Sequence, residues 1–121
     1  MPRPVLDESA IHPAVRQQVA TLHADLLAEV QAAIARHAVV VLGMAGNPFV
    51  RKARKALDAA GVPHHDLDYG SYLGDWRRRN VLKMWTGWPT FPMVFVKGQL
   101  VGGCSDLQRL IDSGELKRLL A

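Results

Sequence analysis

The run Val39-Val40-Val41-Leu42 constrains the fold more than any other segment of the chain. It is short, mostly β-branched and apolar at every position, so it offers no polar face to water. Such a strand belongs inside a sheet that is covered on both faces, with helices packed above and below. The remaining residues must supply those helices and the neighbouring strands. With 121 residues, of which 49% are hydrophobic and 21% charged, the chain can build one such domain.

The segments around this strand read accordingly. Residues 1–10 hold two prolines and no periodicity, and are expected to form a flexible tail before a single domain over 11–121. From Ile11, the residues Val15, Val19, Leu22, Leu26, Val30 and Ile34 form one stripe at helical spacing. This predicts one long helix, capped by Ser9 or carrying Pro13 in its first turn. After the strand, Gly43 to Pro48 is a turn. Pro48 suits a first helical position, and Val50, Ala53 and Leu57 mark the buried side of a helix that Gly61 ends. Pro63 to Asp68 is a weak second strand. Tyr69 to Trp85 carries a third helical pattern, with Leu73, Trp76, Val81, Leu82 and Trp85 apolar. Met93 to Val96 and Leu100-Val101 flank Lys97-Gly98-Gln99, which predicts a hairpin. Gly102-Gly103 breaks the strand, and Ser105 or Asp106 opens a last helix that Ser113-Gly114 divides. The order α–β–α–β–α–β–β–α is that of an α/β fold, with a small mixed four-stranded sheet flanked by helices and one extra N-terminal helix.

Composition narrows the chemistry. No apolar run nears the roughly 20 residues that span a bilayer, and no signal peptide is read in MPRPVLDESA. A cytoplasmic location without membrane contact is therefore expected. One cysteine, Cys104, excludes a disulfide scaffold and any reaction needing two thiols in one chain. The 15 Lys and Arg exceed the 11 Asp and Glu, but they gather in Arg51-Lys52-Ala53-Arg54-Lys55 and Arg77-Arg78-Arg79, which fit solvated helix faces. Nucleic acid is accordingly not expected as a partner, and small anions fit better. The five histidines do not form a metal site: His64 and His65 are adjacent and His12, His23 and His37 are scattered, so surface placement is expected for each.

Three segments carry a family resemblance. Trp88-Pro89-Thr90-Phe91-Pro92, followed by the hairpin as far as Gly103, closely resembles the second half of glutaredoxins, in the version typical of their monothiol members. Gly103-Cys104-Ser105-Asp106-Leu107 resembles the glutathione-binding turn of that superfamily. Ser113-Gly114-Glu115-Leu116 resembles its usual ending. The resemblance spans about residues 38–120 and implies a thioredoxin-like fold.

It also implies a departure. In glutaredoxins the first strand leads into a loop whose cysteine sits at a helix N-terminus. Here Asn47 holds the nucleophile position, Val50 the second cysteine position, and Met44 stands for the usual lysine. Thiolate attack on sulfur drives thiol–disulfide exchange, and iron–sulfur clusters take thiolate ligands. Neither Asn47 nor Val50 supplies sulfur. No catalytic residue and no metal site are expected at this loop, and a 2Fe–2S cluster is not expected. Asn47 can still act as a helix N-cap.

The glutathione cradle implied by the resemblance is retained. Thr90, Phe91 and Pro92 correspond to the element whose proline is cis and whose backbone meets an extended peptide. Gly103, Cys104, Ser105 and Asp106 form a turn and helix start suited to the γ-glutamyl end, and Arg79 and Lys83 correspond to residues that meet the glycyl carboxylate. The expected function is binding of glutathione, or of a glutathionylated or iron–sulfur protein partner, without redox activity. The alternative is an active glutathione-dependent oxidoreductase or a cluster carrier using Cys104. A structural module that no longer binds glutathione is a third reading.

Overall fold

A computed structural model of the protein describes residues 3–71 and 74–121. The elements run α1 (Pro13–Thr21), α2 (Ala24–Arg36), β1 (Val39–Gly43), α3 (Pro48–Ala59), β2 (His65–Asp68), α4 (Trp76–Thr86), β3 (Met93–Val96), β4 (Gln99–Gly102), α5 (Cys104–Asp112) and α6 (Glu115–Leu120), with a short 3-10 turn at Glu8–Ala10. The sheet order is β2-β1-β3-β4. β1 pairs parallel with β2 and antiparallel with β3, and β3 pairs antiparallel with β4.

The central strand behaves as its composition requires. All five residues of β1 are buried. Because side chains alternate along a strand, Val40 and Leu42 join Leu26, Val30, Leu82, Met93 and Phe95 on the face covered by α2 and α4. Val39 and Val41 join Ala53, Leu57, Val94, Leu107 and Leu116 on the face covered by α3, α5 and α6. Leu42, Leu57, Leu82 and Leu107 are all fully buried, and each contributes about 1.5–3 kcal/mol by leaving water.

Three expectations are corrected here. The N-terminal stripe does not form one helix. It breaks at His23, which adopts left-handed φ 48°, ψ 41°. In α2, Leu26, Val30 and Ala33 are buried and Leu27 and Ile34 pack against the core beside them, while α1 buries no residue and Val15, Val19 and the following Leu22 are exposed. A straight helix over 11–34 would run about 36 Å, more than twice the roughly 15 Å length of strands this short. The cap of α1 is the His12 imidazole, which accepts from the Ala14 N–H at 3.0 Å, while Ser9 donates to Asp7.

The third helix begins at Trp76, later than its apolar pattern predicts, and Asp75 just before it is left-handed at φ 63°. Leu73 lies outside the described residues. Trp76 is 58% exposed, with the Arg77 guanidinium 5.3 Å above its ring. It is not a packing residue, unlike Trp85, which packs against the core.

His64 is not a surface residue. Its side chain is 9% exposed and lies between two carboxylates, Asp58 at 2.8 Å and Asp66 at 2.7 Å. His65 stacks on His37 with ring centroids 4.1 Å apart.

Candidate functional site

The site is assembled at the end of the sheet where β1 stops and β3 starts. β1 delivers Met44, which is buried, and Gly46 then turns the chain at φ 79°. Asn47 follows as the N-cap of α3. Its Oδ1 accepts from the Phe49 N–H at 2.8 Å and from the Val50 N–H at 3.1 Å. Pro48 occupies the first helical position, where its missing N–H costs nothing. The cap is itself buried, at 7% exposure, so its oxygen is held in place rather than solvated.

A second wall comes from the loop before β3. The Phe91–Pro92 peptide is cis. Among the described residues no hydrogen bond engages the Phe91 backbone, so its N–H and C=O remain available to a ligand. Trp88 also lines this wall. Its indole Nε1 is buried and has no partner among the described residues, and a methyl added at Gly103 would lie 3.6 Å from it.

The third wall is the start of α5, one residue earlier than the sequence suggests: Gly103 is the N-cap and Cys104 the first helical residue. Asp106 turns back to accept from the Gly103 N–H at 3.0 Å, and its other oxygen faces Arg109 at 3.7 Å. This closure needs glycine at 102. Gly102 has φ 112°, and a methyl there would meet Asp106 Oδ2 at 2.5 Å. The N–H groups of Cys104 and Ser105 lie in the first turn of α5, where no carbonyl precedes them in the helix.

Together these walls line a groove of about 490 Å³. Asn47, Lys83, Thr90, Phe91, Pro92, Gly103, Cys104, Ser105 and Asp106 all line it. Lys83 is its one lysine or arginine, and its Nζ lies 5.9 Å from the centre of the Phe91 ring. Cys104 is half-buried and free.

Two residues from the sequence reading lie elsewhere. Val50 is fully buried under β1. Arg79 is 8% exposed, and its guanidinium donates to the carbonyls of Tyr69, at 3.1 Å, and Gly74. It ties the segment before α4 to the helix and does not line the groove. Conversely, Phe49, 58% exposed, and Pro89 were not anticipated as walls. Phe49 lies off the Val50–Ala53–Leu57 stripe. A large aromatic residue outside the buried stripe of its helix was the signal available.

A four-stranded mixed sheet with β1 leading into a capped helix, and a cis-proline loop facing that cap, defines the thioredoxin-like class. Within it, residues 39–101 match the Glutaredoxin family model. The chain belongs to the glutaredoxin family. It is 47% identical over 94 residues to a glutaredoxin-like protein of Dictyostelium discoideum, covering 78% of this chain and 76% of that one. It is 32% identical over 89 residues to glutaredoxin 4 of Buchnera aphidicola, covering 69% and 80%. A bifunctional monothiol glutaredoxin-S16, chloroplastic, of Arabidopsis thaliana is 38% identical over 72 residues, covering 60% of this chain and only 25% of the relative. Among solved structures, a wheat glutaredoxin superposes with a TM-score of 0.69 at 28% identity, covering 80% of this chain and 90% of that one. A buckwheat glutaredoxin–glutathione complex gives 0.70 at 24% identity, covering 79% and 87%. Among the described residues no helix is long and apolar enough to cross a membrane.

Proposed function

We propose that this protein holds glutathione, or the glutathionyl group of a partner protein, in the groove and runs no thiol–disulfide exchange through the loop before α3. The observation that carries this reading is the double hydrogen bond from the α3 N-terminus to Asn47 Oδ1, at the foot of an otherwise open groove. A helix N-terminus lowers the pKa of a cysteine placed there. Here the same N–H groups cap an amide oxygen, which is neither a nucleophile nor a soft ligand. The residue does not fit an iron–sulfur cluster either, because such clusters take thiolates.

The walls supply complementary contacts for a tripeptide with two carboxylates and one ammonium group. The Phe91 backbone would pair with the extended peptide. The N–H groups of Cys104 and Ser105 would receive the γ-glutamyl carboxylate, and Asp106 its ammonium group. Lys83 would meet the glycyl carboxylate. Arg79 has no part in this scheme, since it is buried outside the groove, with Nη1 donating to the Tyr69 and Gly74 carbonyls.

A glutathione titration followed by amide NMR tests the reading. Saturable shifts at Phe91 and Cys104 to Asp106 are expected, and their absence at millimolar ligand would overturn it. Cys104 lines the same groove, which favours one rival reading, chemistry at that thiol. Purified protein should not reduce a small mixed disulfide of glutathione. Activity that disappears in Cys104→Ala would transfer the function to that rival.

A further inference from the structure

The opposite end of the same strands carries a second cleft, of about 570 Å³, which shares no lining residue with the groove. It lies where α2 ends, β1 begins and β3 turns into β4. Its apolar wall is Ile34 with Trp85 and Phe95, whose rings lie 6.2 Å apart at 27°. Its rim holds Arg36, His37 and Lys97.

The backbone fixes these rim groups. Lys97 and Gly98 are consecutive left-handed residues, at φ 48° and 82°, and make a tight hairpin turn. The Lys97 N–H donates to the Ala38 carbonyl at 2.7 Å, which holds the turn against the start of β1. Across the cleft, the His37 N–H donates to Ala33 at 2.9 Å and closes α2 directly after Arg36.

The charge on this rim is unbalanced. No aspartate or glutamate lines the cleft, and neither the Arg36 nor the Lys97 side chain forms an ion pair or hydrogen bond with any described residue. At the α3–β2 edge, by contrast, Arg54 is matched by Asp66 and Asp68. Two unpaired cations lining one cleft beside an aromatic wall favour an anion there, and the guanidinium fork can hold two of its oxygens. The aromatic wall adds contact area for a flat apolar body.

We propose that this cleft binds an organic anion with a flat apolar body, an aryl carboxylate, sulfonate or phosphate in chemical class. The body lies on Trp85, which the largely buried Phe95 ring backs, and the charged group meets Arg36 and Lys97. This site is independent of the glutathione groove, and each can fail without the other.

The test is a titration of the full chain with 1-naphthalenesulfonate, followed by amide and indole N–H shifts. Saturable shifts are expected at the Trp85 indole N–H and at the Lys97 and Gly98 amides, with Cys104 to Asp106 unmoved. Arg36 and Lys97 are exposed, so the double variant Arg36→Gln/Lys97→Gln should keep the fold, and its unchanged spectrum away from the cleft would show this. Its affinity for the sulfonate should fall by about fivefold or more, the size expected for two exposed charge contacts. Neutral 1-naphthalenemethanol should bind the native protein more weakly by a similar factor. A smaller loss in the double variant, equal binding of the neutral compound, absence of saturable shifts at millimolar probe, or shifts confined to another part of the surface would each overturn the proposal.

Discussion

The side-chain oxygen of Asn47 accepts a hydrogen bond from the backbone N–H of Val50 at 3.1 Å, which ties together the two positions where the glutaredoxin pattern places its thiols. The same oxygen accepts from the Phe49 N–H at 2.8 Å. The end of α3 that would stabilise a thiolate is given over to an uncharged cap.

That cap should matter for stability. Asn47→Ala leaves both N–H groups without their acceptor, and the Val50 N–H is in a buried environment. A loss of about 1–2 kcal/mol is expected in urea unfolding. Asn47→Ser, which keeps a capping oxygen, should retain most of it. An alanine variant as stable as the native protein would remove the cap from the account.

The helix end should also activate a thiol placed on it. In a Cys104→Ala background, Asn47→Cys is expected to be alkylated by iodoacetamide with an apparent pKa below about 8.5, the value of a free cysteine. A pKa at or above that value would mean that the α3 N-terminus no longer stabilises an anion.

Arg79 and Lys83 should separate in their effects. Arg79→Met strands the Tyr69 carbonyl and takes one of two donors from the Gly74 carbonyl, which keeps the Ser71 N–H, and is expected to lower stability by about 1–3 kcal/mol while leaving glutathione affinity nearly unchanged in the folded fraction. Lys83→Gln should do the reverse, weakening glutathione by several-fold with little change in the unfolding midpoint. Equal losses of affinity in both variants would contradict the assignment of Arg79 to the scaffold.

His64 should make stability depend on pH. Burial of the ring lowers its pKa, but hydrogen bonds and attraction from Asp58 and Asp66 outweigh burial and raise it above the usual 6.5. A raised pKa favours the protonated folded state. Its contribution is therefore complete below about pH 6.5 and fades as pH rises through the higher folded value. In urea titrations, the stability gap between the native protein and His64→Gln should be widest in mild acid and narrow toward alkaline pH. A gap that does not vary with pH would show that the ring is not charged between its carboxylates.

The readable elements were those governed by neighbours in the chain. Val39 to Leu42 could only be an interior strand. Asn47-Pro48 could cap and start a helix, and Lys97-Gly98 could turn a hairpin, because each rests on local backbone preference. The misread ones depended on distant partners. The Val15–Val19–Leu22 stripe has helical spacing, but only α2 finds a sheet to cover. Tyr69 to Ser71, Gly74 and Asp75 lie outside the helix, and the Arg79 side chain bonds the Tyr69 and Gly74 carbonyls.

The sequence by itself determined the family, the sheet with both faces covered, and the absence of sulfur where the family's reaction needs it, since these follow from residue types and their spacing. Only the tertiary structure decided where the charged side chains point. It folded Arg79 onto its own scaffold, left Lys83 as the groove's one lysine or arginine, locked His64 between Asp58 and Asp66, and brought Arg36 and Lys97 into one cleft with Trp85 and no counter-charge among the lining residues. A long flexible side chain can reach several partners, and which one it takes depends on surfaces that meet only after folding.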